Sequence, residues 1–242
     1  MLVGITGVGG GSLMTPLLLA VFGLHPAVAI GTDLCFAAST KSAGAVTHHQ
    51  AGQVDWRITA RLLAGSLPAA AATLAGMHFS GLMHRHAGAL PVVLGVALLV
   101  SACIVVNRRL WMALGLRLER HITAARRKTL TLACGALLGA IVALSSIGAG
   151  AIGAALIMLL YPRLPAHRVV GSDIAHAVPL TLLTGIGYAA LGLVDWHLLL
   201  ALLLGSLPGI WLGSRLTRRL PEALIRMLLC LSLATAGLKL IG

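Results

Sequence analysis

The chain is a succession of long apolar stretches divided by short polar ones. They occupy residues 2–22, 26–52, 57–79, 87–106, 129–146, 147–161, 166–191, 196–214 and 222–241. Most are long enough, as helices, to cross a hydrocarbon core of about 30 Å. The first is apolar but carries Gly4, Gly7, Gly9, Gly10, Gly11 and Pro16. It lacks the leading positive charge and cleavage site of a signal peptide, so it reads as a broken helix. Such a break is tolerated at membrane depth only where protein or a water-filled cavity covers the backbone. A similar break falls at Gly148, Gly150 and Gly153, inside an apolar run too long for one ordinary span.

The pattern is written twice. Gly31-Thr32-Asp33 recurs as Gly171-Ser172-Asp173, Val54-Asp55-Trp56 as Val194-Asp195-Trp196, and Gly65 to Pro68 as Gly205 to Pro208, all at an offset of 140 residues. Upstream the offset is 139, pairing Pro26 with Pro165, Gly9 with Gly148 and Gly11 with Gly150. A period this long does not suit a solenoid or propeller; it suits the duplicated halves of a transporter. One asymmetry stands out. The second repeat has a span, 129–146, ahead of its glycine break, and the first has only a few residues there.

Composition changes the picture only by fixing the solvent. Apolar residues make up 58% and charged residues 10%, against about 25% charge in a soluble domain. The net charge of +12 could suggest nucleic acid, but the basic residues cluster in short segments between apolar runs, as topogenic charges do. Seven of the eighteen fall between Asn107 and Lys128. The four cysteines lie inside apolar runs without a C-x-x-C spacing and are expected to be buried small side chains. Cys35, two residues from Asp33, is the one thiol to test for function.

With 107–128 placed in the cytoplasm, Arg163, Arg168 and Arg215 also fall inside, as do Arg57 and Arg61, while Asp195 and the loop near Arg85 fall outside. Equivalent loops then face opposite sides, which makes the repeats inverted. The assignment requires 147–161 to cross fully; a re-entrant 147–161 would make the repeats parallel. The expected fold is therefore an all-α polytopic membrane protein. It has eight or nine transmembrane helices in two homologous, inverted repeats with Gly-broken helices. Repeat 1 covers 1–106, a basic cytoplasmic linker 107–128, and repeat 2 residues 129–242.

Ionisable groups within spans are costly and functional by default. They are Asp33, Lys41 and His48 in one span and Asp173 and His176 in its twin. Lys41 must pair with a carboxylate or meet an anionic substrate. Asp33 and Asp173, each after Gly-Thr or Gly-Ser near the start of a span, are expected to cap helix N-termini; the alternative is a proton-titrating pair. Asp55 and Asp195 are read as interfacial residues beside tryptophans, and His84, Arg85 and His86 as a solvated loop. The glycine breaks at Gly9, Gly10, Gly11, Gly148 and Gly150 would expose helix N-termini, which attract anions. Close helix packing is the competing use of glycine. Thr32, Ser39, Thr40, Ser172, Thr181 and Thr184 could complete a cage, or bond their own helix backbone. Doubled, and joined to Lys41, the breaks favour an anion over a cation.

At this point Gly9-Gly10-Gly11-Ser12-Leu13-x-x-Pro16, Gly31-Thr32-Asp33, Thr40-Lys41-x-x-Gly44-Ala45-x-x-His48 and Gly52-x-Val54-Asp55 resemble the sulfite exporter TauE/SafE family of bacterial permeases. Gly148-x-Gly150, Val170 to Asp173 and Gly192-x-Val194-Asp195 match its second module, and the likeness covers nearly the whole chain. The abbreviated N-terminus departs from the family's pattern. The resemblance implies a bacterial inner-membrane carrier, working without ATP, for small sulfur-containing anions such as sulfite or organosulfonates. Thr40, Lys41 and His48 carry over as its motif residues. The substrate-binding set is then Gly9, Gly10, Gly11, Thr40, Lys41, Gly148, Gly150, Ser172 and Thr181. His48, His176, Asp33 and Asp173 are the candidates for proton coupling, with no cofactor and no resident metal. The rivals are a metal-cation transporter built on His48, His49, His176 and the aspartates, and an intramembrane enzyme, for which neither His-Glu-x-x-His nor Gly-x-Ser-x-Gly is present.

Overall fold

The computed structural model of the chain describes residues 11–79, 89–119, 122–217, 227, 230–231 and 233–238. The described elements are helical throughout: α1 (Gly11–Phe22), α2 (Pro26–Gln50), α3 (Trp56–Phe79), α4 (Ala89–Val106), α5 (Arg108–Glu119), α6 (Ala124–Ser145), α7 (Ala151–Leu160), α8 (Ala166–Ala190) and α9 (Trp196–Thr217). Helical residues recur between 227 and 238. By length and composition α3, α6 and α8 are able to cross a membrane. His84 to His86, Gly9 and Gly10 lie outside the described residues.

The duplication is visible in the helix bounds. α2 and α8 start and stop 140 residues apart, and α3 and α9 start at Trp56 and Trp196. Each long helix ends in a glycine at positive φ, Gly52 and Gly192, where a side chain would be strained. An aspartate then caps the next helix. Asp55 Oδ1 accepts from the N–H groups of Arg57 and Ile58, and Asp195 Oδ1 from that of Leu198.

The repeats embrace each other. α2 packs on α8, α3 of the first repeat packs on α8, and α9 of the second packs on α2. The contacts are reciprocal: a Cβ at Gly31 would strike the carbonyl of Leu193, and one at Gly171 the carbonyl of Gln53. Farther along, Gly44 faces Ile174 and Gly185 faces Cys35. Moving forward on α2 therefore moves backward on α8. The equivalent helices are antiparallel and touch along their length. The repeats are inverted.

The segment 147–161 does not cross as one helix. A break at 146–150 precedes α7, whose 10 residues span about 15 Å, half a hydrocarbon core. Its C-terminal end comes back to the level at which α6 starts. Tyr161 Oη lies 2.9 Å from Thr131 Oγ1, and Arg163 Nε donates to Glu119 Oε2 at 3.0 Å. α6 and α7 thus form a hairpin with both ends on one side. That keeps the parity an inverted arrangement requires, by a route other than the full crossing expected.

Two boundaries differ from expectation. The basic linker holds a helix, α5, whose Gly115 packs against the backbone of Met158 and Leu159 on α7. α6 begins at Ala124 rather than 129, because Thr123 accepts the N–H of Arg126 and caps it early. The cysteines are also less buried than expected: Cys103 is exposed and Cys35, Cys134 and Cys230 are partly so. α6 runs parallel to α3 with glycine contacts, Gly135 on Leu62 and Gly139 on Ser66, while Gly65 meets Leu132. Gly205, the counterpart of Gly65 on α9, has no such neighbour among the described residues.

Candidate functional site

Buried charged side chains of the two long helices converge on the break between α6 and α7, with His176 beside them. Lys41 is 5% exposed, Asp33 0%, Asp173 3% and His176 0%. Lys41 Nζ donates to the carbonyl of Ala149, inside the break, at 2.5 Å. The break exists because Ser146 takes a left-handed conformation at φ 58° and Gly148 and Gly150 follow at positive φ. Ser146 N–H still closes α6 on the Val142 carbonyl at 2.8 Å, which leaves the next carbonyls free to turn inward. Lys41 is within electrostatic reach of Asp33, Asp173 and His176.

The two aspartates are not N-caps of their own helices. Each sits eight positions into a 25-residue helix, fully enclosed, because the helices start at Pro26 and just after Pro165, earlier than the Gly-Thr and Gly-Ser pairs suggested. Instead each carboxylate turns toward the short helix of its own repeat. Asp33 Oδ2 accepts a hydrogen bond from Thr15 Oγ1 on α1. Asp173 Oδ1 lies against Gly153 in the first turn of α7, where a Cβ would collide with it. The anion expected at these helix ends is, in this structure, the chain's own carboxylate. Negative charge there is what a helix N-terminus favours.

Thr32 and Ser172, beside them, serve the other repeat. Ser172 Oγ accepts the N–H of Asp55 at 2.8 Å and Thr32 Oγ1 that of Asp195 at 3.0 Å. Thr40, Thr181 and Thr184 bond carbonyls of their own helices, and Ser39 does the same from an exposed position. His48 is not part of the cluster: its Nδ1 lies 2.6 Å from Gln53 Oε1 at the end of α2. Gly148 and Gly150 take part through their backbone, while Gly11 opens α1.

Sequence reasoning missed Thr15, Ser66, Ser146 and the Ala149 carbonyl. Ser66 Oγ lies 2.9 Å from His176 Nε2, and Ser66 belongs to the duplicated Gly-Ser-Leu-Pro motif, which was a usable signal. Nothing in the sequence marked Thr15 or Ser146. Around the break, Asp173 Oδ1 and His176 Nδ1 are buried with no hydrogen-bond partner among the described residues, and Asp33 Oδ1 and Ser146 Oγ have at most each other. Buried polar groups are almost always paired, so these atoms about one buried ammonium mark a place built to receive a polar ligand. The repeats differ here: Lys41 has Thr181 as its counterpart, and His176 has Phe36.

Comparison with known proteins agrees with this architecture. The profile of the sulfite exporter TauE/SafE family matches residues 1–240. A probable membrane transporter protein of Bacillus subtilis (strain 168), YjnA, is 37% identical over 99% of this chain and 94% of its own. One from Xylella fastidiosa (strain 9a5c) is 31% identical over 89% of this chain and 80% of its own. YdhB of Bacillus subtilis, also a probable membrane transporter protein, is 26% identical over 99% and 95%. No solved structure gives a significant match. The chain belongs to the sulfite exporter TauE/SafE family and is a multi-pass membrane transporter.

Proposed function

We propose that this family member is a secondary transporter of small sulfur-containing anions, sulfite or organosulfonates, in the bacterial inner membrane. The carrying observation is Lys41, a buried ammonium within α2, one of the two antiparallel, equivalent helices, held on a carbonyl of the α6–α7 break. An anion arriving there exchanges a neutral acceptor for a charged one, and charge-assisted hydrogen bonds are roughly twice as strong. The inverted pair α2 and α8 supplies the alternating access, since either end of the pair can open while the other closes. The basic segment 107–128 faces the cytoplasm, as the positive-inside rule requires. Thr40, Gly11, Gly148 and Gly150 shape the backbone around the anion, and Ser172 and Thr181 hold the second long helix against it.

Purified protein in liposomes tests the reading with radiolabelled sulfite, thiosulfate, sulfoacetate and, as the rival cargo, a divalent metal. Sulfite or an organosulfonate should move, and Lys41→Ala should slow it by about ten- to a hundredfold, the equivalent of about 1.5–3 kcal/mol for a hydrogen bond to a charged group. Lys41→Met, closer in volume, separates charge from packing. Undiminished sulfur-anion flux in both variants, or flux of the metal alone, would sink it.

A further inference from the structure

The charges at the site do not balance as drawn. Lys41 contributes one positive charge and Asp33 and Asp173 two negative ones, all three buried. His176 enters as a neutral imidazole sharing its Nε2 with Ser66. Fully ionised, the cluster carries a net charge of minus one, and a bound monoanion would make it minus two. An uncompensated buried charge costs several kcal/mol even after relaxation. Among the described residues the other surroundings offer no remedy. α1 brings Thr15, and α2 adds Cys35 with His48 and His49 at its far end. On α3 Arg57 and His78 are exposed and Arg61 reaches Tyr161 Oη, on α6 Arg126 and Lys128 are exposed and Arg127 pairs with Glu119, and on α8 His167 and Arg168 are exposed while Tyr188 Oη donates to the Ala143 carbonyl. α7 carries no ionisable residue, while Cys103 of α4 and His197, on α9, are exposed.

We infer that the transporter is an electroneutral symporter carrying one proton with each monovalent anion, with Asp33 and Asp173 as the proton-binding pair. The inference rests on the anion-transport reading above. In the empty site Lys41 is offset by one carboxylate while the other carboxyl is protonated. In the loaded site Lys41 is offset by the anion, and both carboxyls hold protons. One proton therefore enters with each anion from the same side and leaves with it on the other. The protonated carboxyls become donors, and Asp33 Oδ1 and Asp173 Oδ1 are placed to serve the anion rather than repel it. A dianion would leave the loaded site charged, so hydrogen sulfite and monosulfonates are accepted and sulfate is refused.

The test uses the wild-type protein in liposomes with methanesulfonate, which stays a monoanion at any working pH, an internal pH dye, and a potassium diffusion potential. Influx should acidify the lumen by one proton per anion and ignore the imposed potential. Apparent affinity should rise toward tenfold per unit fall in external pH, the slope of a one-proton linkage. Sulfate should not move. The variants sharpen this. Asp33→Asn or Asp173→Asn alone keeps the coupling, because the remaining carboxylate must still be protonated on loading. Asp33→Asn with Asp173→Asn leaves only the Lys41 ammonium to release and rebind the proton, so Lys41→Arg, whose guanidinium keeps its charge, is added: in the triple variant flux becomes independent of pH and responsive to potential. Potential-driven flux without acidification in the wild type overturns the inference but leaves the anion reading standing, as do equal rates for sulfate and methanesulfonate. Persistent proton coupling in the triple variant also overturns it. Failure of every sulfur anion to move removes the underlying reading, and this one with it. Should the triple variant not fold, the wild-type proton count and potential response decide alone.

Discussion

The hydroxyl of Ser172, on α8, accepts a hydrogen bond from the backbone N–H of Asp55, 117 residues away in the loop that ends α2. Its image under the repeat, Thr32 with Asp195, is made in the opposite direction. Each repeat thus completes the helix cap of the other. Thr32→Val keeps the shape and removes the acceptor, leaving a backbone N–H without a partner at a cost of about 1–3 kcal/mol. Ser172→Ala should cost the same order. Melting points in detergent measure both. An unchanged melting point for each would mean that these bonds do not hold the repeats together.

Gly31 and Gly171 set how closely the two long helices approach. A Cβ at either would strike a loop carbonyl of the other repeat, and backbone cannot move aside as a side chain can. Gly31→Ala and Gly171→Ala are each expected to destabilise by about 1–3 kcal/mol through overpacking. Gly205→Ala is the control, because its added methyl meets nothing within 4 Å among the described residues and gains up to about 1 kcal/mol of helix propensity. Chemical denaturation of the three variants should give two losses and one neutral or favourable change.

Gly153→Ala acts on function before stability. The added methyl collides with Asp173 Oδ1, so the carboxylate must leave the first turn of α7 and move toward Lys41. A carboxylate drawn onto Lys41 competes with an incoming anion. Transport should fall at least about tenfold, equal to about 1.4 kcal/mol, with a smaller shift in melting point. Flux at the wild-type rate would show that Asp173 does not need its place.

Ser66→Ala leaves His176 Nε2 without the partner it has at 2.9 Å, at a depth where water does not reach. A loss of about 1–3 kcal/mol follows from the stranded imidazole. In Ser66→Ala with His176→Phe, where the new side chain repeats Phe36 of the first half, most of that loss should return. Comparing the double variant with its two parents gives the coupling directly.

The sequence made the architecture legible because its signal was redundant. The duplicated pattern located both long helices to within two residues, and the positive-inside count gave their opposed directions. The site was legible only in part. Lys41, Asp33, Asp173 and His176 stood out because charge inside lipid is rare, but the partners of the aspartates did not. A local pattern, Gly-Thr-Asp, resembled a cap, although the apolar stretches already began at 26 and 166, and the helix starts at Pro26 and Ala166 put the aspartates a full two turns inside. Thr15, Ser146 and the Ala149 carbonyl reach the cluster through backbone geometry, which leaves no mark on residue type. His48 shows the converse, a residue at helical spacing from Lys41 that the length of α2 carries to its far end.

The exchange of caps between the repeats also bears on how the protein is made. When the first half has left the ribosome and entered the membrane, the N–H of Asp55 has no acceptor and Thr32 has nothing to accept, because Ser172 and Asp195 are not yet synthesised. Insertion can proceed helix by helix, but the first half waits for the second before its own loop is finished. Two halves expressed from separate genes would have to meet in the bilayer to mature, and either one alone would be material for the cell's quality-control proteases.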